Sequence, residues 1–125
     1  MKTKNSTAQG YMANYKNLLI WQKADKLALA IYKLTDNFPK HEIFGITSQL
    51  RRSGLSIPTN IVEGYNRKSK KELSRYIDIA LGSLAETEYL LEFCKKLGYI
   101  RHGFADVETL IVELGKMLWS FQKSL

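Results

Sequence analysis

Apolar residues recur along this chain at alternating spacings of four and three, which places them on one face of an α-helix. Ile20, Ala24, Leu27, Ile31, Leu34 and Phe38 form one such run, and Pro39 ends it. A second run spans about Phe44 to Tyr65, with Ile46, Leu50, Gly54, Ile57 and Ile61 in phase. Pro58 lies inside it, where it removes one helical hydrogen bond and crowds the carbonyl of Gly54. The stripe keeps its phase across Pro58, so the pattern predicts a kinked helix rather than a break. The third run is Leu73, Ile77, Ala80, Leu84, Thr87, Leu91 and Cys94, opened by a capping box at Ser69 and Glu72 and closed by Gly98 as a left-handed cap. Nearly thirty residues at 1.5 Å each reach ~43 Å, which outruns the first and last helices and leaves one end to project or to pack on another subunit. Phe104, Val107, Ile111, Leu114, Leu118, Phe121 and Leu125 make the fourth run. No stretch has a convincing period of two. The pattern therefore predicts an all-α fold, an antiparallel up-and-down four-helix bundle over residues 18–125. Residues 1–17 are polar and aperiodic and read as a flexible basic N-terminal tail.

The second run carries more than an apolar face. Gln49, Ser53, Ser56, Asn60 and Glu63 repeat the same spacing one position away, so a polar stripe lies directly beside the apolar one. A matching patch, Ser83 and Glu86, interrupts an apolar seam of the third helix made by Tyr76, Ile79, Leu90 and Phe93. If the two helices are neighbours, Ser56, Asn60, Glu63, Ser83 and Glu86 form a structural polar network in the interior or at a subunit contact, because buried polar groups have to be paired. A ligand-binding cluster is the sharper reading of the same residues.

Charge adds a second candidate. The net charge is +7, and it is uneven. Residues 51–75 hold seven basic side chains against two acidic ones, Lys2, Lys4 and Lys16 add to the amino-terminal end, and residues 76–125 are net negative. Arg67, Lys68, Lys70 and Lys71 crowd the turn into the third helix, with Tyr65 and Tyr76 alongside. Lysines at a helix N-terminus oppose the macrodipole, so helix stability does not explain them, whereas a bound anion would. Lysine and arginine neutralise phosphates, and an aromatic face can stack an unpaired base. A solvated turn that aids solubility is the plainer alternative. Arg51 and Arg52 flank the stripes of the second helix and are candidates either for phosphates or for an acid such as Glu86 or Glu88.

Enzyme chemistry finds little support. No Glu-x-x-His pair for a di-iron site is present, and His41 and His102 fall in different predicted loops without cysteine or carboxylate at ligand spacing, so neither a metal nor any other cofactor is expected. No phosphate-binding glycine loop or serine–histidine–aspartate motif appears, and no catalytic residue is assigned. The single cysteine, Cys94, sits in an apolar helical position and reads as a buried structural thiol suited to a reducing cytoplasm. No run of about 18 apolar residues spans a membrane, and the first ten residues lack the apolar core of a signal peptide.

Four segments taken together resemble a known family. They are Trp21-Gln22-Lys23, Gln49-x-Arg51-Arg52, Ser56-Ile57-Pro58-x-Asn60-Ile61-x-Glu63-Gly64 and Gly82-Ser83-x-x-Glu86, within a similarity that covers about residues 18–100. The chain resembles the large-subunit (23S) rRNA intervening-sequence proteins, also labelled S23 ribosomal proteins. Ser53, Gly54 and Val62 depart from it, standing where the family mostly has alanine. The resemblance implies a four-helix bundle, a ring-like homopentamer with a basic surface, and no settled activity. A similar protein is the accessory subunit of diversity-generating retroelements, thought to contact nucleic acid and a reverse transcriptase.

The expectation is a non-enzymatic homo-oligomer, a pentamer, that binds RNA or DNA through Arg51, Arg52, Arg67, Lys68, Lys70, Lys71 and Arg75, with Tyr65 as a stacking partner. The alternative is a protein-interaction adaptor whose partner is a larger nucleic-acid enzyme such as a reverse transcriptase.

Overall fold

The structure, a computed structural model, describes residues 14–125. Four helices carry the chain: α1 (Leu19–Thr35), α2 (Ile46–Tyr65), α3 (Lys70–Lys96) and α4 (Phe104–Lys123). Short 3₁₀ turns cover Asn14–Asn17 and Lys40–Glu42, and there is no strand among the described residues. Each helix packs on its two sequence neighbours, α4 closing the ring against α1, while the diagonal pairs α1/α3 and α2/α4 do not approach each other. This is the up-and-down four-helix bundle that the period predicts.

The core is made by the predicted stripes. Leu27 and Ile31 of α1, Leu50, Ile57 and Ile61 of α2, Ile77 and Leu91 of α3, and Leu114 and Leu118 of α4 are all but inaccessible. Burying each such side chain contributes roughly 1.5–3 kcal/mol relative to leaving it in water. Cys94 is buried and unpaired among them, and burial pushes its thiol up to about 11, which suits packing rather than nucleophilic chemistry. Pro58 is buried inside an uninterrupted α2.

Helix ends follow the expected chemistry. Ser69 Oγ accepts the Glu72 N–H at 3.1 Å. Gly98 takes φ +80°, with Tyr99 N–H on the Cys94 carbonyl and Gly98 N–H on the Lys95 carbonyl, the paired bonds of a Schellman cap.

Three expectations need correction. The structured part begins before Leu18: Asn14–Asn17 form a turn that packs on α1 and α2, and the Tyr15 ring meets Trp21 edge-on at 5.0 Å. Phe44 does not start α2. Glu42 Oε1 accepts the Ile46 N–H and Gly45 sits at the N-cap, so the helix opens at Ile46 and leaves Phe44 in the connection. Gly54 is there for more than propensity, since a Cβ at this position would lie 2.7 Å from Ile31 Cδ1 across the α1–α2 contact. The tail residues Lys2 and Lys4 lie outside the described residues.

Close approach also explains Gly64, whose added Cβ would meet Tyr76 Cβ at 2.6 Å. That atom cannot swing aside, so Gly64→Ala should force α2 and α3 apart and lower stability by about 1–3 kcal/mol in urea unfolding. An unchanged midpoint would show that the two helices separate freely. Thr47, in contrast, buries a hydroxyl that has no hydrogen-bond partner among the described residues. Thr47→Val removes the unpaired group and should raise stability by about 1 kcal/mol in the same assay; a loss would mean that the hydroxyl is paired after all.

Glu42 also accepts Tyr99 O–H through Oε2 at 2.8 Å, joining the start of α2 to the α3–α4 connection. The Tyr99 hydrogen bond, then the Ile46 N–H, hold the Glu42 carboxyl below its ordinary value of 4.5, and the same Glu42 bond raises Tyr99 above 10.0. A lowered carboxyl stabilises the fold above its unfolded pKa, and that contribution is lost as pH falls through the folded pKa. A raised tyrosine stabilises below its unfolded pKa, and its contribution is lost as pH rises through the folded pKa. Glu42→Gln should therefore lower the melting temperature at neutral pH, with the gap closing in acid; a gap that persists in acid would locate the effect elsewhere.

Candidate nucleic-acid interface

The turn between α2 and α3 is the basic end of the molecule. Lys68, Lys70, Lys71 and Arg75 are all exposed, and none forms an ion pair among the described residues. Lys70 and Lys71 occupy the first turn of α3, where the helix dipole is positive and Ser69 caps a single amide. The local field thus favours an anion over the lysines already there. Arg67 is exposed but oriented: it donates to Tyr76 Oη at 2.7 Å and its guanidinium lies 5.1 Å from the centre of the same ring. Such a contact holds the stem while leaving other donors of the fork free. Tyr65 is half-buried at the end of α2.

The two remaining arginines do not join this cluster. Arg51 donates through Nε to Thr35 Oγ1 at 2.7 Å and through Nη2 to Asp36 at 3.1 Å, and it covers the Tyr32 ring at 4.7 Å. With a side chain only 21% exposed, it is a clamp between α1 and α2, so it leaves the set of phosphate contacts. Its acid is Asp36, not Glu86 or Glu88. Arg52 is exposed, but thirteen residues of helix separate it from Tyr65, where α2 ends before Arg67, an axial distance of ~20 Å. It lines a groove between α2 and α3 instead, together with Phe44, Gln49 and Glu86.

The polar stripe is divided in the same way. Ser56 Oγ bonds Ser83 Oγ, and Ser53 Oγ lies 2.9 Å from Thr87 Oγ1, so two hydroxyl pairs bridge α2 and α3. Asn60 Nδ2 donates to the Ser56 carbonyl at 2.7 Å within its own helix. Glu63 and Glu86 are exposed and hydrogen-bond no other described side chain, so the expected carboxylate members do not enter the network. A hydroxyl can return its proton to a backbone carbonyl, whereas a buried carboxylate needs a donor that this seam lacks. Thr87, which the apolar stripe absorbed, was the partner that spacing alone did not mark as polar.

Among the described residues no group of three histidine, cysteine, aspartate or glutamate side chains is arranged to hold a metal ion, and no helix is long and apolar enough to cross a membrane.

No curated protein matches this sequence. A crystal structure from Bacteroides thetaiotaomicron, described as a protein of unknown function from the S23 ribosomal protein family, superimposes with a TM-score of 0.77 at 29% identity, covering 84% of this chain and 96% of that one. The family model of the 23S rRNA-intervening sequence proteins matches residues 16–120, which takes in α1 to α3, most of α4, the basic turn and the hydroxyl seam. The chain is a member of the 23S rRNA-intervening sequence protein family.

Proposed function

We propose that this protein is a non-enzymatic, homo-oligomeric binder of RNA or DNA, and that the α2–α3 turn is its phosphate-binding surface. The observation that carries this reading is the exposure of Lys68, Lys70, Lys71 and Arg75 without ion-pair partners among the described residues, two of them at the positive end of the longest helix. Cations that serve stability are found paired, as Arg51 is with Asp36 and Lys23 is with Glu113 at 3.0 Å. These four gain nothing from their surroundings and would release counterions on meeting a polyphosphate. Arg67, steadied on Tyr76, supplies a planar donor fork beside them.

Self-association is supported by apolar side chains left in water. Leu55 on α2 and Ile79, Tyr89 and Phe93 on α3 are each more than two-fifths exposed, and the Tyr89 and Phe93 rings lie 6.2 Å apart. Several large apolar side chains exposed on the same two helices are what a protein contact would cover. A ring of several copies would repeat the basic turn around its axis and raise the avidity of turns that are weak singly. The same surface is what an adaptor would offer to a larger partner, so light scattering of the purified chain separates the two readings. A mass several times the chain mass supports the homo-oligomer, and a monomer favours the adaptor.

Replacing Lys68, Lys70 and Lys71 by glutamine should reduce the slope of log affinity against log salt by about 2.7 units on duplex DNA and about 2 on a single strand, if each lysine meets one phosphate. Fluorescence anisotropy with both polymers measures it. An unchanged slope would remove the turn from the interface.

A further inference from the structure

We infer that the groove between α2 and α3 is a pocket for an unpaired guanine base, read between the Phe44 ring and the side chains of Arg52 and Glu86. This deepens the nucleic-acid reading and rests on it. Phe44 is 96% exposed, the most exposed large apolar side chain among the described residues. Its backbone is nevertheless held on both sides. Gly45 N–H donates to the Glu42 carbonyl at 2.9 Å, Gln49 N–H donates to the Gly45 carbonyl at 3.1 Å, and the Glu42 carboxylate is tied to Ile46 and Tyr99. A bare aromatic ring on a braced backbone is pre-organised to receive a flat partner, at little further ordering cost.

Phe44 stands at the lining of an open groove of about 670 Å³, within the ~300–1,000 Å³ typical of small-ligand sites. It is lined mainly by polar side chains, among them Ser48, Gln49, Arg52 and Glu86. None of these four side chains hydrogen-bonds another described residue, and Arg52 and Glu86 are not within ion-pair distance of each other. Opposite charges that share a groove without pairing leave a donor fork and an acceptor pair both free. Guanine presents the complement: N7 and O6 accept on one edge, while N1–H and N2–H₂ donate side by side on another. Arginine matches the first edge and a carboxylate the second. Adenine and cytosine offer only their exocyclic amino group beside an acceptor, and uracil offers one N–H flanked by carbonyls that a carboxylate repels. Stacking on Phe44 holds any base, and Glu86 selects guanine.

The pocket and the basic turn stand at opposite ends of α2, whose 20 residues span ~30 Å. At ~3.4 Å per stacked nucleotide, a strand of about nine nucleotides or more reaches both. The test uses labelled single-stranded RNA of about twelve nucleotides: oligouridine, and the same strand with one guanine or one adenine, each titrated by anisotropy against the full chain. The guanine strand should bind tightest. Phe44→Ala should weaken it by about 5- to 100-fold, and Glu86→Gln should remove roughly tenfold preference for guanine over adenine without changing the mass from light scattering. Equal affinity for the three strands, or a Glu86→Gln variant that keeps the guanine preference, would overturn the pocket and leave the phosphate-binding turn standing. A Phe44→Ala variant that changes the oligomer mass would assign the ring to a second copy of the chain instead. Failure of every strand to bind at low salt would overturn the nucleic-acid reading and the pocket with it.

Discussion

The close approach of α2 to both of its neighbours is the constraint on which the rest of the bundle depends. α2 meets α3 at Gly64, where a single methyl would collide with the Tyr76 stem, and meets α1 at Gly54, where a methyl would displace the movable tip of Ile31. Between these points Ser53 and Ser56 face Thr87 and Ser83, so the seam holds hydroxyls where a bundle core normally carries branched aliphatics. Small side chains let the helices sit near each other, and that proximity extends the buried contact of Ile57 and Ile61 with the rest of the core. Proline at position 58 is compatible with this arrangement because the missing N–H lies in a helix already packed on both sides.

Half of the hydroxyl seam has somewhere local to donate. Ser53 Oγ reaches the Leu50 carbonyl at 3.0 Å and Thr87 Oγ1 reaches the Ser83 carbonyl at 2.8 Å, so the single Thr87 proton is shared between its own helix and Ser53. Ser56 and Ser83 bond each other across the seam. The geometry also fixes register: Ser53 opposite Thr87 and Ser56 opposite Ser83 match three residues along α2 to four along α3, and a slide of one turn would keep only one hydroxyl pair and set the other serine against Ile79 or Leu91.

Periodicity carried the fold. Every position of the four main apolar stripes from Ile20 to Leu118 is buried or half-buried, whereas Ile79 and Phe93 of the second seam on α3 are exposed, and the capping residues Ser69 and Gly98 act where their chemistry predicts. What spacing could not carry was pairing. Arg51 and Arg52 are adjacent and chemically identical, yet one is clamped by Thr35, Asp36 and the Tyr32 ring while the other lines an open groove. The difference is a rotation of 100° around one helix axis, and it turns on where α1 ends. Glu63 and Glu86 were drawn into the network by sharing a stripe with Ser56 and Ser83, but a stripe is several side chains wide and only its inner edge is interior. The apolar stripe begins at Ile46 and does not mark where the helix opens; the Glu42 carboxylate, three residues before Gly45, sets the start after Phe44.

That contrast separates cations that build the fold from cations that await something else. Arg51 has lost most of its water and regained donors, acceptors and an aromatic face in exchange, which is how a structural charge is stabilised. Lys68, Lys70 and Lys71 keep their water, repel one another and sit against the positive pole of α3. In the isolated chain each is a small electrostatic cost, screened by salt but not reversed by it. Such an arrangement is unfavourable alone, and negative charge brought against Lys68 and the first turn of α3 would relieve it, which is the electrostatic ground of the phosphate-binding proposal.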